Sequence, residues 1–403
     1  MKQSTSPSLA EFVTIMALLM ALVALSSDIV LPALHQMGVD LDVKHENDTQ
    51  LVISLIFLGI GCGQLFFGPL SDSIGRKPAM SAGVLLFLFG CGLSMTAQGF
   101  TQMSIGRFLQ GLGLASARTV SLALIRDVYV GPQMARVMSF IMMIFIMVPM
   151  LAPMIGQGLL HLVGWRGIFA FAFMMGVFSL TWFVWRLPET LVLEKRKAFT
   201  LRVIALSTAE VLKSPVAMSC TLIAGVVFSS FMAYLSTAQQ ILQLQYGLGD
   251  WFPPVFAFIA MFGGIASYTN GRIVVRFGMQ VISRMALLGM LTVSLVVLSW
   301  MVSTTSEPPL WAILIYFSII FYSVSTVFGN INAMAMESLG HIAGVAASVV
   351  GSISMILAFF IGVFIARQYD GSVKPLVIGF ICCSTASLVL LRRAAKTPPQ
   401  SSQ

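Results

Sequence analysis

The feature that most constrains the fold is a series of apolar runs long enough to cross a lipid bilayer. A membrane-spanning helix needs about 20 mostly apolar residues, and twelve such runs follow one another along the chain. They lie at residues 12–34, 49–70, 79–98, 101–125, 135–160, 165–187, 215–243, 252–271, 282–302, 309–332, 342–366 and 374–392. The sequence therefore predicts an all-α integral membrane protein with twelve transmembrane helices.

Composition agrees with a chain whose solvent is lipid. Hydrophobic residues make up 58% of the sequence and charged residues only 9%, against about 25% charged residues in ordinary soluble domains. The cysteines and histidines show no spacing typical of a metal site. We therefore expect the lipid bilayer as a partner, and no metal, cofactor or nucleic acid.

A short loop motif occurs twice. Gly271 and Gly278 repeat the spacing of Gly68 and Gly75 after 203 residues, about half of the 403-residue chain. Two similar bundles in tandem are typical of secondary transporters. The prediction is two pseudo-symmetric six-helix bundles with a cytoplasmic linker that contains an amphipathic segment. The bounds are 1–187 for the first bundle, 188–214 for the linker, 215–393 for the second bundle and 394–403 for a disordered tail.

The basic residues predict the orientation. With both termini in the cytoplasm, seventeen of the 23 lysines and arginines fall on the cytoplasmic side and four on the other side. Cytoplasmic loops of membrane proteins carry such an excess. The charge distribution thus predicts a multi-pass protein of a cell inner (plasma) membrane, and it accounts for most of the net charge of +8.

Three charges lie inside predicted spans. Asp28 is in the first span, and Arg107 and Arg118 are in the fourth; each costs about 2.5–3.5 kcal/mol at mid-membrane on insertion scales. Asp28 and Arg107 have similar predicted depths, so they form either a proton-coupling site or a structural pair. Pro32 cannot donate to the carbonyl of Asp28, which favours a polar proton site there. Arg118 lies on the same helix face as Arg107, where it contacts either substrate or packed helices.

Two further groups of residues are candidates for transport roles. Pro149, Pro153 and Gly156 predict a bent fifth helix that packs tightly and takes part in gating, or a kink without that role. Neutral polar groups inside the second half either bind substrate or join helices. They are Tyr234, Gln239, Asn330 and Asn332. Glu337 is a weaker candidate for a second proton site, because it lies near the predicted inner membrane face.

Several motifs together resemble the major facilitator superfamily over essentially the whole chain, and more narrowly its Bcr/CflA group of drug:proton antiporters. The motifs are Gly68-Pro-Leu-Ser-Asp72-Ser-Ile-Gly75-Arg76-Lys77, Arg107-Phe-Leu-Gln-Gly-Leu-Gly, Ser27-Asp28-Ile-Val-Leu-Pro32, Ile125-Arg-Asp127 and Leu187-Pro-Glu-Thr190. The resemblance implies that Arg107 takes part in proton coupling. It also implies that Arg76 and Asp127, with the loop residues Gly68, Asp72 and Gly75, form a conformational latch on the cytoplasmic side.

The chain departs from this family pattern at two points. The fifth span has Ala152-Pro153 and then Gly156-Gln157, where the antiporter motif expects Gly-Pro and Gly-Gly. The second loop copy has Val275 in the place of Asp72. We therefore expect the complete latch in the first half only.

These observations together predict a secondary active transporter and not an enzyme. The predicted function is proton-coupled export, by antiport, of small amphipathic compounds or drugs through alternating access between the halves. Asp28 and Arg107 would couple transport to the proton gradient, with one proton per cycle, and the protein would work as a monomer. The alternative is a proton-coupled transporter of a metabolite such as a sugar or amino acid. In that case the two deep arginines would favour an anionic or zwitterionic cargo. No nucleophile–base set, nucleotide-binding loop or long soluble domain supports an enzyme or a sensor, and the repeat argues against a fixed channel.

Overall fold

Helices make up nearly all of the described chain. The computed structural model describes residues 7–196, 199–304, 306–337 and 343–396, and no strand occurs among them. The chain divides into two units, Met1–Ile204 and Ala205–Gln403. The boundary falls inside the segment 188–214 that was predicted to be a linker.

The described residues of the first unit form six α-helices up to Arg186. They are α1 (Leu9–Asp28), α2 (Leu34–Asp40), α3 (Leu51–Ile74), α4 (Arg76–Met95), α5 (Phe100–Val128) and α6 (Gly131–Arg186). The first predicted span, 12–34, is interrupted, because α1 ends at Asp28 and a 3₁₀ turn at Leu31–Ala33 follows. Pro32 lies in this turn, and it lacks the N–H that would bind the carbonyl of Asp28 and continue the α-helix.

Helix α6 covers two predicted spans, 135–160 and 165–187. Its backbone is not helical at Gly164, which has φ 72° and ψ 177°. A straight helix of 56 residues would be about 84 Å long, far more than the bilayer core of about 30 Å. The positive φ at Gly164, which favours glycine, therefore marks a break between two shorter lengths.

Contacts with α1 and α2 give the direction of each length of α6. Two residues before α6 begins, the ring centroid of Tyr129 lies 5.2 Å from that of Phe12, near the start of α1. Farther along α6, the carbonyl of Ile29, just after the end of α1, fills the space beside Gly156. After the break, the Trp165 indole donates to Asp40 at 2.7 Å. Arg186 at the far end donates from its Nε and NH2 to the two carboxylate oxygens of Glu11. The two lengths thus run alongside α1 and α2 in opposite directions.

The second unit begins within α7 and continues with six longer helices. Helix α7 covers Leu201–Lys213, and the six longer helices are α8 (Pro215–Ala238), α9 (Phe252–Phe277), α10 (Met279–Thr304), α11 (Leu310–Glu337), α12 (Ala343–Arg367) and α13 (Lys374–Lys396). Helix α7 occupies the predicted amphipathic segment, and α8 continues as a π-helix at Gln239–Gln245. Residues 394–396, predicted to be disordered, are the last residues of α13, while 397–403 lie outside the described residues.

Eleven of the described helical segments are long and apolar enough to cross a membrane, with the two lengths of α6 counted as one. The chain is therefore a multi-span membrane protein. The ends agree with the apolar runs to within several residues; the run 101–125, for example, corresponds to α5 at Phe100–Val128.

Candidate functional site

Asp28 is a buried carboxylate at the point where α1 ends. Its exposed fraction is 3%, and the Ser27 hydroxyl donates to its Oδ1 at 2.8 Å. Among the described residues it forms no ion pair. A buried acid that is held by a neutral hydroxyl and not by a fixed cation is chemically suited to bind and release a proton.

Arg107 of α5 connects three neighbouring segments of the first unit. Its Nε donates to the Val52 carbonyl at 2.6 Å, and its NH2 donates to the Ser26 carbonyl at 2.9 Å. Its NH1 donates to Gln110 at 2.9 Å, and Gln110 in turn donates to the Ser94 hydroxyl. The guanidinium is 1% exposed. These neutral acceptors satisfy the cation without a carboxylate.

The structure modifies the expectation of a pair between Asp28 and Arg107. In the described part of the chain no ion pair joins them, although Arg107 binds the carbonyl of Ser26, two residues before Asp28. Arg107 is thus held by hydrogen bonds to neutral acceptors and not by contact with the Asp28 carboxylate.

Gly156, which we predicted from its small size to pack closely, lies against the same region of α1. A Cβ atom at this position would lie 1.9 Å from the Ile29 carbonyl oxygen. The backbone of α6 is thus in direct contact with the residue that follows Asp28. Pro149 and Pro153 lie inside α6 about two turns and one turn before this contact, respectively, so the proline-containing part of α6 leads to the contact with α1 beside Asp28.

The predicted latch residues form a compact charge network at the end of α3. Arg76 is 8% exposed. Its Nε donates to Asp127 at 2.9 Å, and its NH1 donates to the Ser71 hydroxyl at 2.8 Å and to Asp72. The Ser71 hydroxyl also donates to the carbonyl of Gly68. One arginine thereby joins the ends of α3 and α5.

Glu189, to which we assigned no role from sequence, completes this network. Its carboxylate accepts from the backbone N–H groups of Arg76 at 2.9 Å and Lys77 at 3.0 Å. Gly75, which precedes α4, has φ 109°, and a Cβ there would lie 2.6 Å from Glu189 Oε2. Glycine has no side chain to cap the helix, so the first N–H groups of α4 need an acceptor from elsewhere. Thr190 donates to Asp127 at 3.2 Å and so joins the same network.

We predict that Glu189→Gln destabilises the protein by about 1–2 kcal/mol, the usual cost of removing a helix cap. The amide would keep one acceptor oxygen but replace the other with a donor that faces an N–H group. The measurement is the thermal unfolding midpoint of the purified protein in detergent. Glu194→Gln is the matched control, because Glu194 is exposed and lies outside the network. Equal midpoints for the two variants would contradict the capping role.

The second loop copy has the same backbone feature without the charge network. Gly278 has φ 79° and separates α9 from α10, as Gly75 separates α3 from α4. Arg272 stacks on Tyr268, with 4.4 Å from its Cζ to the ring centroid, and Arg276 stacks on Phe277 at 5.4 Å. This agrees with the expectation that only the first half carries the complete set of latch residues.

Tyr234 lies in an aromatic cluster of the second unit. It is 1% exposed, and its ring centroid is 4.8 Å from that of Phe317 and 4.9 Å from that of Phe321. Its hydroxyl has no hydrogen-bond partner in the described part of the chain. Gln239 is also buried and begins the π-helix, a rare element that is frequent at functional sites.

The two predicted asparagines of α11 differ in their surroundings. Asn330 forms a reciprocal pair of amide hydrogen bonds with Asn270 of α9, at 2.8 and 3.0 Å. Asn332 donates to the carbonyl of Phe328 in its own helix. Asn270 was missed from sequence, although its position directly before the second loop copy was a usable signal. Asn330 thus joins helices in this structure, the second of its two predicted roles.

Arg118 is half-buried within α5. Its guanidinium makes no hydrogen bond or ion pair with any residue that the structure describes. An unpaired cation inside a membrane span is costly and is usually functional. Glu337, the weaker proton-site candidate, is exposed at the end of α11.

Comparison with known proteins identifies relatives over most of the chain. The sequence model of the Major Facilitator Superfamily matches residues 16–363. The bicyclomycin resistance protein homolog of Haemophilus influenzae is 26% identical, over 94% of this chain and 94% of its own length. The chloramphenicol resistance protein of Pseudomonas aeruginosa is 27% identical, over 95% of this chain and 90% of its own length.

A solved structure with the same fold is the xylose transporter XylE from E. coli, in a partially occluded inward-open conformation. The TM-score is 0.74 at 13% sequence identity, over 98% of this chain and 99% of that chain. At this identity the likeness shows the fold alone.

Proposed function

The chain belongs to the major facilitator superfamily, whose members are transporters, and from this premise we propose that it exports small amphipathic compounds in exchange for protons. The observation that carries the proposal is Asp28. It is a buried carboxylate within a membrane span, with a serine hydroxyl as its hydrogen-bond partner. An ionisable residue in such a place is a functional site by default.

The proposed cycle alternates the proton and the substrate. The Asp28 carboxyl holds a proton while the substrate site is empty, and it releases the proton as the substrate binds. Arg107 stays bound to the carbonyls of Val52 and Ser26 throughout. Its fixed positive charge favours the ionised carboxylate once substrate has bound. The proton gradient is the energy source, and no cofactor takes part.

The substrate class is proposed from two sources. Full-length relatives carry the names bicyclomycin resistance protein homolog and chloramphenicol resistance protein, which suggests drugs of that size as cargo for this chain. The second unit also contains a buried aromatic cluster around Tyr234, and aromatic side chains suit flat apolar compounds. The names of the relatives and the aromatic cluster together favour phenicol-like and other small amphipathic molecules over large substrates.

Topology and gating form part of the same proposal. We propose twelve spans in an inner (plasma) membrane, with α6 supplying two of them and both termini in the cytoplasm. The Arg76 network is then the cytoplasmic latch, which would have to open when the transporter exposes its site inward. Gly156, Pro149 and Pro153 would allow α6 to move against α1 beside Asp28. A single chain suffices for this cycle, so the monomer is the proposed functional unit.

A vesicle assay tests the exchange. Purified protein is reconstituted into liposomes with an acidic lumen and a pH-sensitive dye, and phenicols, cationic dyes, sugars and amino acids are added separately. The proposal predicts that the lumen becomes more alkaline with at least one drug class and not with sugars, and that protein-free liposomes give no response. If no drug class changes the pH of the lumen, the proposed function is overturned.

One observation favours a second candidate, the export or uptake of an anionic or zwitterionic metabolite. Arg118 offers a guanidinium within α5 that has no partner among the described residues and could bind a carboxylate. If this candidate is right, amino acids trigger proton movement, and Arg118→Ala abolishes the response. If drugs are the cargo, Arg118→Ala leaves proton exchange with a neutral phenicol largely intact.

A further inference from the structure

A groove runs along the outside of the second unit between α12 and α13. Its volume is about 650 Å³, within the usual range of ligand sites. The floor includes Val226 of α8 and Ile365 of α12. A Cβ at Gly379 of α13 would lie 2.6 Å from Ile365, so the two helices touch there and close the bottom of the groove.

The groove is apolar along its length and charged at one end. From α13 it is lined by Pro375, Ile378, Gly379, Cys382, Cys383 and Ala386, which recur at the spacing of one helix face. The charged end carries Asp370 and Lys374. Lys374 to Ala386 corresponds to about 18 Å along a helix, close to the ~15 Å that one leaflet contributes to the hydrocarbon core.

The groove opens outward along its apolar part. Phe364 is 67% exposed and Ile378 is 42% exposed, and both lie on membrane-spanning helices. Apolar surface of this kind on a transmembrane helix faces hydrocarbon. The occupant of the groove should therefore have an apolar chain about one leaflet long and a polar group at one end.

The charged end determines which polar group fits. The Lys374 side chain is exposed and has no ion-pair partner in the described part of the chain. Asp370 uses its Oδ1 to accept from the backbone N–H and hydroxyl of Ser372, which leaves Oδ2 without a described partner. A second carboxylate, Glu307, lies close by, because it accepts from the Val373 N–H at 3.5 Å. The described charged residues that line the groove are thus one cation, Lys374, and one anion, Asp370, and this pairing, with Glu307 close by, suits a zwitterionic headgroup better than one with only negative charge.

We propose that this groove is a binding site for a zwitterionic phospholipid with a primary ammonium headgroup, phosphatidylethanolamine. The phosphate binds the Lys374 ammonium, the ethanolamine ammonium donates to Asp370, and one acyl chain lies between α12 and α13. Phosphatidylglycerol would place its phosphate near Lys374 but offer Asp370 no cation. Phosphatidylcholine would offer a cation without N–H donors. The proposal is independent of the transported cargo.

Native mass spectrometry of the full-length protein in detergent tests the headgroup. Separate titrations with phosphatidylethanolamine, phosphatidylcholine and phosphatidylglycerol should give the highest retained occupancy for phosphatidylethanolamine. Lys374→Ala should weaken its binding about fivefold, as expected for the loss of one exposed ion pair. Asp370→Asn should remove the preference over phosphatidylglycerol. Lys44→Ala, which removes an exposed lysine of the first unit, is the control and should leave binding unchanged.

Thiol labelling tests the position of the acyl chain. Cys382 is exposed in the groove, while Cys62 of the first unit is half-buried and serves as an internal reference. Phosphatidylethanolamine should slow alkylation of Cys382 several-fold and leave that of Cys62 unchanged. Equal retention of all three lipids, insensitive to Lys374→Ala and Asp370→Asn, would overturn the proposal. So would protection of Cys382 by a transported drug but not by lipid.

Discussion

Asp28→Asn is expected to abolish proton-driven transport while leaving a folded protein that still binds substrate. Asparagine has nearly the same shape as aspartate and can still accept from the Ser27 hydroxyl. It cannot carry a proton at any pH used for transport, so the driving gradient has no site to act on. The measurement is substrate movement into proteoliposomes under an imposed pH gradient, which should fall to the level of empty liposomes.

Glu337→Gln is the matched control for this prediction. Glu337 is exposed at the end of α11, so its neutralisation should leave transport near the wild-type rate. Size-exclusion chromatography and substrate binding in detergent show whether each variant is folded. A normal transport rate in Asp28→Asn, or a complete loss in Glu337→Gln, would contradict the assignment of the proton site.

Gly156→Ala is expected to lower the stability of the first unit. The added methyl would lie 1.9 Å from the Ile29 carbonyl oxygen, and its nearest neighbours are all backbone atoms of Ile29, which cannot rotate away like a side chain. Overpacking of this kind costs about 1–3 kcal/mol. We expect a lower thermal unfolding midpoint in detergent and, because the contact adjoins Asp28, a lower transport rate in the protein that remains folded.

Gly158→Ala provides a close control in the same helix. A Cβ at Gly158 meets no atom within 4 Å, and alanine is the better helix former. This variant should therefore match or exceed the wild-type midpoint. If the two alanine variants behave alike, the contact between α6 and α1 is not as close as described here.

The helices and their order could be predicted because the membrane imposes a simple length and polarity rule. The end of α1 at Asp28 was not predicted, because the run 12–34 was expected to be one span and Pro32 was taken only to leave the Asp28 carbonyl without a donor. The two lengths of α6 were predicted as the separate apolar runs 135–160 and 165–187, each long enough to cross the bilayer. The 3₁₀ turn and the π-helix at Gln239–Gln245 were not predicted, because they depend on tertiary packing and not on local pattern.

The contacts within the site were less accessible from sequence. Arg107 was expected beside a carboxylate, but its partners are the backbone carbonyls of Ser26 and Val52. Every residue type offers a carbonyl, so no sequence pattern identifies such partners. Glu189 caps α4 across a separation of more than a hundred residues. The pair of Arg76 with Asp127 was expected only because the motifs that contain them resemble those of the major facilitator superfamily.

Proton release on substrate binding tests the central claim most directly. Purified wild-type protein and Asp28→Asn are mixed with a transported drug in weakly buffered detergent solution containing a pH indicator, and binding is measured in parallel. The account predicts that the wild type releases about one proton per bound substrate, as expected for a single deep carboxylate, and that Asp28→Asn binds the drug and releases none. The same proton release from both proteins would show that Asp28 is not the coupling site.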